Sequence, residues 1–378
     1  MKRMLAVLLV TVSVFLICAV PVFAGNTAKE ESDILIESSG IAEVAESLES
    51  ETKAFLDSIG FEDIRYEALY ALDFQTVVQA VLSVFRLSLK EILHAFLSIL
   101  AAVLLCALAQ SFFGGFEKAD IQKIYDACTA VFITGVSMLS LSETIAAVGT
   151  AVNAAAAFTA AAMPIMCVIA VSQGKALSAA VFNGMAVGVS EVLSSLFSSV
   201  FLPLSNILLG VGTVSGIDRE LPMEKLIGLV RKYLLSALSV FAGIYFSLLS
   251  LKSTVGAAAD ESAVKALKVA AGNFVPVIGS AVSDSAAVVI SSLQLTKTAI
   301  GGFGVLALTG MFLPLLFKSV LWYFVFETAA FAASLLSAGS AAAVLKNLSA
   351  AVSTLVIIVL FCALMFMMNF GMMMRMRA

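Results

Sequence analysis

Long apolar runs separated by short polar stretches occupy the sequence from residue 91 to its end. Hydrophobic residues make up 61% of the chain and charged residues only 13%, and the mean hydropathy is +1.06. A bilayer core of about 30 Å is crossed by about 20 apolar residues in a helix, and helices satisfy all of their own backbone polar groups in lipid. The sequence therefore predicts an all-α, polytopic integral membrane protein.

The apolar runs predict about seven to nine transmembrane helices. Their limits are set where polar or helix-breaking residues interrupt the hydropathy. Nine crossings would connect an N-terminus outside the cytoplasm to a basic, cytoplasmic C-terminus. The run that contains Pro203 and Asn206 is short, so a hairpin or half-helix is the alternative there. The nine candidate spans are 92–113, 127–150, 155–172, 177–197, 198–213, 233–251, 298–317, 319–337 and 350–373.

The first 24 residues have the pattern of a secretory signal peptide. Lys2 and Arg3 precede an apolar run over 4–20, and small residues stand near the end of the segment. This pattern predicts cleavage between Ala24 and Gly25, and the alternative is an uncleaved first transmembrane helix. Both alternatives place the start of the following segment outside the cytoplasm.

An acidic extracytoplasmic segment of amphipathic helices is predicted over 25–88, ahead of a polytopic membrane domain over 89–378. Residues 25–75 contain 13 acidic and 3 basic residues, a net charge of −10. The helices can dock on a partner, lie on the bilayer or fold back over the membrane domain. Their acidity argues against nucleic acid or anionic lipid as the binding partner. Their predicted apolar stripe is Ile41, Val44, Leu48, Phe55 and Ile59.

The segment 272–304 is polar for a stretch at membrane depth. It contains an Asn, an Asp, a Lys and seven Ser or Thr. A helix that begins at Pro276 would place four of them, Ser280, Asp284, Ser291 and Thr298, within about 40° of one another around its axis, with Gln294 close to this stripe. We therefore predict a re-entrant or pore-facing segment, with a polar protein groove or the membrane interface as the alternatives for that face. The candidate pore-lining or subunit-contact residues are Asn273, Pro276, Gly279, Ser280, Asp284, Ser291, Gln294 and Thr298.

Four other charged residues interrupt or border the apolar runs. A charge at the centre of a bilayer costs about 3 kcal/mol on insertion scales, so each of them should face protein, water or a counter-charge. Lys318 also suggests a tight cytoplasmic turn, and Trp322 with Tyr323 suggests an interfacial aromatic belt. The candidate intramembrane charges are Glu143, Glu191, Lys318 and Glu327.

The sequence offers few residues for metal binding or acid-base chemistry. His94 is the single histidine, and the five cysteines show no CxxC spacing. A zinc site or a histidine-based triad therefore has no ligands from which it could be built. We expect no cofactor, no metal and no catalysis.

Residues 263–304, AVKALKVAAGNFVPVIGSAVSDSAAVVISSLQLTKTAIGGFG, resemble the stage III sporulation protein AE family of endospore-forming bacteria. The most specific parts are GNFVPVIG, SDS and the stretch from Lys297 to Gly304. On either side, DRELPMEKLIGLVRKYL and FLPLLFK fit the layout of the family.

The resemblance implies a membrane-embedded, permease-like component of the channel between mother cell and forespore, without catalytic chemistry. It also implies a multi-pass location in the mother-cell membrane around the forespore. The implied partners are the other proteins of the stage III sporulation operon and a forespore-side channel protein. The alternative is a stand-alone secondary transporter with a discontinuous helix at 273–297.

Overall fold

The protein is helical wherever its structure is described. The computed structural model describes residues 26–61, 64, 68–69, 72–113, 119–217, 225–248 and 279–374. The predicted cleavage site at Ala24 and Gly25 lies outside these ranges, as do Asn273 and Pro276 of the polar segment. The described α-helices are α1 (Asn26–Ser38), α2 (Ile41–Glu46), α3 (Ser50–Ser58), α4 (Phe74–Phe113), α5 (Ala119–Ser172), α6 (Ala176–Leu196), α7 (Leu202–Ile217), α8 (Lys225–Leu248), α9 (Gly279–Leu335) and α10 (Gly339–Met374).

Six helical stretches in the described ranges are long and apolar enough to cross a bilayer. They lie in α4, α5, the continuous α6–α7 rod, α8, α9 and α10. Their limits are Gln75–Phe112, Leu141–Ser172, Ala176–Gly212, Lys225–Leu248, Val289–Leu335 and Gly339–Met374.

Three breaks that were predicted inside these helices are absent. The runs 127–150 and 155–172 are both part of α5, and the run 298–317 continues without a break into the run 319–337 within α9, which ends at Leu335. A π-helical turn, Phe197–Phe201, joins α6 to α7 without a break. The prediction of a turn at Lys318 is wrong, because a polar side chain lowers the local hydropathy but leaves the backbone hydrogen bonds of the helix intact.

The helices end where the backbone turns into the left-handed region. Gly174, with φ of 81°, makes the turn between α5 and α6, and Ser337, with φ of 63°, makes the turn between α9 and α10. Gly40 and Gly60 end two of the N-terminal helical segments in the same way, with φ of 76° and 74°. Glycine adopts this conformation at little cost, which is why it commonly terminates helices.

The two longest helices exceed the thickness of a bilayer. With 54 residues in α5 and 57 in α9, a rise of about 1.5 Å per residue makes them about 80 Å and 85 Å long. A hydrocarbon core measures about 30 Å. Neither helix can therefore lie over its whole length across a core of this thickness.

The antiparallel pair of α9 and α10 forms the centre of the bundle, and α9 is the most deeply buried of the candidate spans. The remaining long helices surround this pair. The α5 helix runs antiparallel to α9, because Thr144 contacts Trp322 while Gln173 contacts Lys297. The bundle has two ends, which we call the Met374 end, where α10 finishes, and the Ser337 end, where α9 turns into α10.

The acidic N-terminal helices fold back on the bundle, which was one of the three predicted alternatives. Both α1 and α3 pack against α9. The predicted apolar stripe faces inward, with Ile41, Leu48, Phe55 and Ile59 buried. The acidic side chains of these helices are mostly exposed. The predicted domain boundary at 88/89 falls inside the continuous helix α4.

A stripe of glycines lets neighbouring segments approach α9 closely. A methyl group added at any of these positions would overlap or press on a neighbouring side chain. The glycines are Gly301, Gly302, Gly304 and Gly310, and the side chains in question are Met374, Leu69, Phe370 and Phe55, respectively. Two positions of the glycine stripe therefore allow α10 to approach α9 closely, and the other two allow the N-terminal region to do so.

We predict that Gly304→Ala destabilises the protein. Its new methyl group would meet the ring of Phe370, which is stacked on Phe158 with a centroid separation of 5.3 Å. Overpacking of this kind costs about 1–3 kcal/mol, which exceeds the gain of about 1 kcal/mol for replacing a helical glycine with alanine. The apparent melting temperature of the purified protein in detergent measures the effect.

The matched control is Gly135→Ala, in an exposed part of α5 where an added Cβ meets nothing within 4 Å. This variant should gain the helix propensity without the clash, so its melting temperature should stay equal or rise. Equal shifts for the two variants would contradict the close-packing role of Gly304.

Candidate functional site

A fully buried lysine lies in α9 near the Met374 end of the bundle. The exposed fraction of Lys297 is 0%, and its Nζ donates a hydrogen bond of 2.9 Å to Oε1 of Gln173. Gln173 lies in the turn that connects α5 to α6 and is itself buried. A buried ammonium group is tolerated only where polar groups replace its water, which this turn does in part.

A second glutamine extends the hydrogen bonding from this lysine to the end of α10. Nε2 of Gln173 donates to Oε1 of Gln294 at 3.4 Å, and Nε2 of Gln294 donates to the carbonyl oxygen of Met374 at 3.3 Å. This carbonyl belongs to the last turn of α10, where helical carbonyls have no partner within their own helix. The side chain of Gln294 therefore caps α10 and links it to the α5–α6 turn.

The helix ends around Lys297 also favour its positive charge. Ser172 ends α5 and directly precedes Gln173, which accepts the hydrogen bond from Lys297. Met374 ends α10, and its carbonyl oxygen accepts the hydrogen bond from Gln294. The C-terminal end of a helix carries a partial negative charge, equivalent to about half an electron charge. Two such ends converge at this site, so the electrostatic environment suits a cation.

The N-terminal helix α1 is bonded to the same region of α9. Oγ1 of Thr296 lies 3.1 Å from Oγ of Ser32, which is fully buried, and 2.9 Å from the carbonyl oxygen of Ser292. We call the set of Lys297, Gln173, Gln294, Thr296, Ser32 and the Met374 carbonyl the Lys297 cluster. It joins α1, the α5–α6 turn, α9 and α10 at one point.

A second buried polar cluster connects α6, α8 and α10. The hydroxyl of Tyr245 donates to Oδ1 of Asn369 at 2.6 Å, and Nδ2 of Asn369 lies 3.4 Å from Oγ of Ser190. All three residues are buried. The hydrogen bonds fix the relative heights of the three helices along the bundle.

The part of the predicted polar stripe that the structure describes lies inside the protein. Gln294 takes part in the Lys297 cluster, and Oγ1 of Thr298 donates to the carbonyl oxygen of Gln294 at 2.8 Å. Ser291 is half-buried. Gly279 begins α9, and the backbones of Ser280 and Asp284 lie in its first turns, while the side chains of these two residues are outside the part that the structure describes.

The four predicted intramembrane charges have different surroundings. Nζ of Lys318 forms an ion pair of 2.8 Å with Oε2 of Glu91 on α4. Oε2 of Glu327 accepts a hydrogen bond of 2.8 Å from Ser349 on α10. Glu143 and Glu191 are exposed on α5 and α6.

The predicted aromatic belt is wrong for Trp322. Its side chain is 2% exposed, and Nε1 donates to Oγ1 of Thr144 at 3.1 Å. The indole is therefore a core residue between α9 and α5, and it finds inside the bundle the hydrogen bond that an interfacial tryptophan makes with water or headgroups.

Sequence reasoning missed Lys297 as a site residue, together with its partners Gln173 and Ser32. One signal in the sequence could have indicated it, because Lys297 is the only charged residue between Asp284 and Lys318. A single charge in so long an uncharged stretch of helix needs a partner supplied by another segment. Gln173 and Ser32 are 124 and 264 residues away in the sequence, and no local pattern connects them.

The chemistry available at the Lys297 cluster is hydrogen bonding and charge compensation. The described ranges contain no group of three or more His, Cys, Asp or Glu residues placed to hold a metal ion. The cluster fixes the ends of α5 and α10 relative to α9 and holds α1 against them. It is thus suited to linking the N-terminal helices to the membrane-spanning bundle.

Comparison with known proteins gives one consistent result. The family model described as Stage III sporulation protein AE matches residues 63–376, a range that includes the Lys297 cluster except Ser32. The Stage III sporulation protein AE of Bacillus subtilis (strain 168) is 24% identical over 208 residues, which are 55% of this chain and 52% of that protein. The chain therefore matches about half the length of this curated relative. No solved structure matches the chain.

We predict that Lys297→Met lowers the stability of the folded protein. The substitution keeps an unbranched chain of similar length but leaves the buried Oε1 of Gln173 without its donor, which costs about 1–3 kcal/mol. The apparent melting temperature in detergent should fall. Lys90→Met, at an exposed position of α4, is the control and should leave it unchanged; equal melting temperatures for both variants and the unaltered protein would refute the structural role of Lys297.

Proposed function

Because this chain belongs to the stage III sporulation protein AE family, we propose that it is a membrane-embedded, permease-like component of the channel between mother cell and forespore. Its role in endospore formation would be structural or transporting, without catalysis. The family match over residues 63–376 is the observation that carries this proposal. Six helices able to cross a bilayer are consistent with it.

In this proposal the protein lies in the mother-cell membrane that surrounds the forespore, with its N-terminal helices outside the cytoplasm. The signal-like N-terminus supports this orientation. Exposed carboxylates on α1, α2 and α3, such as Glu37, Glu43 and Asp57, favour a location in water rather than in hydrocarbon. The hydrogen bonds between Ser32 and Thr296 then hold these helices at the membrane surface.

The partners would be the other proteins of the stage III sporulation operon and a forespore-side channel protein. The acidic outer surface of α1, α2 and α3 is the part of the chain available to them between the two membranes. The polar stripe of α9, with Ser280, Asp284 and Ser291, would either line a polar path or contact another subunit. The described Gln294 and Thr298 form their hydrogen bonds within the same chain, so these two residues favour neither alternative.

The alternative of a stand-alone secondary transporter predicted a discontinuous helix at 273–297. From Gly279 onward this segment is part of one continuous helix, α9. The described part of the segment thus gives the transporter no support. Transport by the purified protein alone in liposomes would favour a transporter, whereas dependence on co-expressed operon proteins for stability would favour the channel component.

We predict that Asp284→Leu blocks forespore development while the protein still inserts into the membrane. In a polar path or a subunit contact, an apolar side chain removes the charge that the stripe presents. The measurement is the yield of heat-resistant spores from a strain in which this variant replaces the native protein, together with its amount in the membrane fraction.

Asp284→Glu is the matched control, because it keeps the carboxylate and should keep most of the spore yield. A normal spore yield from the Asp284→Leu strain would refute the proposed role of the polar stripe. A normal yield from a strain that lacks the protein altogether would refute the sporulation role itself.

A further inference from the structure

The outer faces of the candidate spans differ in composition. Between Leu97 and Phe112, most exposed positions of α4 are leucine or phenylalanine, which suits contact with lipid tails. The exposed faces of α5, α6 and α8 also contain large apolar residues, but glycine, serine, asparagine and charged residues form stripes beside them. Small and polar residues at membrane depth are typical of surfaces that pack against other helices.

The helices α5 and α6 together form one such face. Oγ of Ser194 on α6 donates to Oδ1 of Asn153 on α5 at 2.6 Å, so the two exposed stripes adjoin. An added Cβ at Gly184 or Gly188 would meet nothing within 4 Å, so the surface of α6 is open to close approach there. We call the exposed stripes of these two helices the α5–α6 face, and they are Glu143, Thr150, Asn153, Ala157 and Ala161 on α5 with Gly184, Gly188, Glu191 and Ser195 on α6.

The α5–α6 face carries negative charge without a matching cation. Glu143 and Glu191 both lie in candidate spans and are exposed. Neither forms an ion pair with another described residue. An exposed carboxylate within a span costs about 3 kcal/mol on insertion scales, so a basic group or water must meet this face.

The outer face of α8 has the complementary character. This helix is the least buried of the six candidate spans. Gly228, Lys232, Ser239 and Gly243 are exposed and lie within about 60° of one another around the helix axis. The two glycines are open to close approach, and Lys232 forms no ion pair with another described residue. We call these four residues the α8 face.

The buried hydrogen bonds show that Lys232 and Glu143 lie at the same height in the bundle. Tyr245, Asn369 and Ser190 mark one common level. Lys232 is 13 positions before Tyr245, which is about 20 Å along α8. This displacement is toward the Ser337 end, because α8 runs parallel to α10, with Phe241 beside Phe361 and Tyr245 beside Asn369.

The height of Glu143 follows in the same way. Ser194 is four positions after Ser190 on α6, which runs antiparallel to α10. Asn153 lies beside Ser194, and Glu143 is ten positions before it on α5. Fourteen positions in total amount to about 21 Å toward the Ser337 end. The two charges therefore differ in height by one position, about 1.5 Å on this scale.

We propose that copies of this chain assemble side by side in the membrane, with the α8 face of one copy docked on the α5–α6 face of the next. Such a contact is heterologous, since it joins two different surfaces. Rotation about an axis along the membrane normal preserves the height of every residue, so Lys232 of one copy meets Glu143 of its neighbour. Gly243 and Gly188 each lie two positions from the common level, so they also come within about 6 Å in height.

A contact between two identical α5–α6 faces is the less favourable arrangement. It would place Glu191 of one copy near Glu191 of the other, and like charges repel at an interface with low dielectric constant. The heterologous contact instead neutralises a carboxylate with an ammonium group. It also brings Gly243 of one copy within about one helical turn of Gly188 of the other, so each helix offers a small residue near the contact.

Cross-linking between two differently tagged copies of the full chain tests this contact. One copy carries Gly188→Cys and the other Gly243→Cys, both with Cys128→Ser, which removes the cysteine that is exposed in the described ranges, and a short bis-maleimide joins them in membranes. We expect a product that contains both tags. A product that joins only Gly188→Cys copies to each other, or a purified protein that is monomeric in nanodiscs, would overturn the proposal.

Charge variants test the ion pair independently of the introduced cysteines. Lys232→Glu or Glu143→Lys alone should lower the cross-linked fraction about tenfold, because each brings like charges together. The double variant with both changes should restore cross-linking. Lys90→Glu, at an exposed position of α4 outside both faces, should leave it unchanged. Failure of the double variant to restore cross-linking would overturn the assigned pair, and none of these outcomes depends on spore yield.

Discussion

Close packing against α9 is the constraint on which the rest of the structure depends. Another segment can come this near only where α9 lacks a side chain, and its glycine stripe provides such positions on two sides. Phe370 and Met374 of α10 occupy one side, while Phe55 and Leu69 from the N-terminal region occupy the other. The glycine stripe therefore places a segment from the start of the chain and its last helix around the same part of α9.

The Lys297 cluster follows from this packing. Once α10 lies against Gly301 and Gly304, its C-terminal end reaches the level of Gln294, and the α5–α6 turn comes to the same level. Two helix ends with partial negative charge then surround the one lysine in the middle of a long uncharged stretch. The cation contributes hydrogen bonds and favourable electrostatics to an arrangement that apolar packing has already assembled.

The exposed surfaces of the helices differ in whether their side chains need a polar partner. Leucines on α4 can face lipid at little cost, whereas Glu143 and Lys232 on other helices need water or a group of opposite charge. Their equal height, derived from the hydrogen bonds of Asn153 and Asn369, makes a second copy of the chain able to supply that partner. The buried polar clusters thus set the register inside one copy, and that register determines which charges can meet between copies.

Sequence by itself determined the class of the protein. The length and polarity of the apolar runs predict membrane-spanning helices, the 3.6-residue spacing of Ile41, Leu48 and Phe55 predicts the buried side of the N-terminal helices, and the motifs around 272–304 identify the family. These properties are local, because they depend on side chains that are neighbours along one helix. For this reason they can be read without knowing what each helix packs against.

Only the tertiary structure decided which helices are continuous and what each polar residue faces. Lys318 interrupts the hydropathy but not the backbone hydrogen bonding, so the break predicted there is absent and its charge pairs with Glu91. Tryptophan is common at membrane interfaces, but Trp322 is buried, because Thr144 accepts a hydrogen bond from its indole inside the bundle. The site at Lys297 joins residues as far apart in the sequence as Ser32 and Met374. Their proximity results from the packing of whole helices, which no pattern along a single helix encodes.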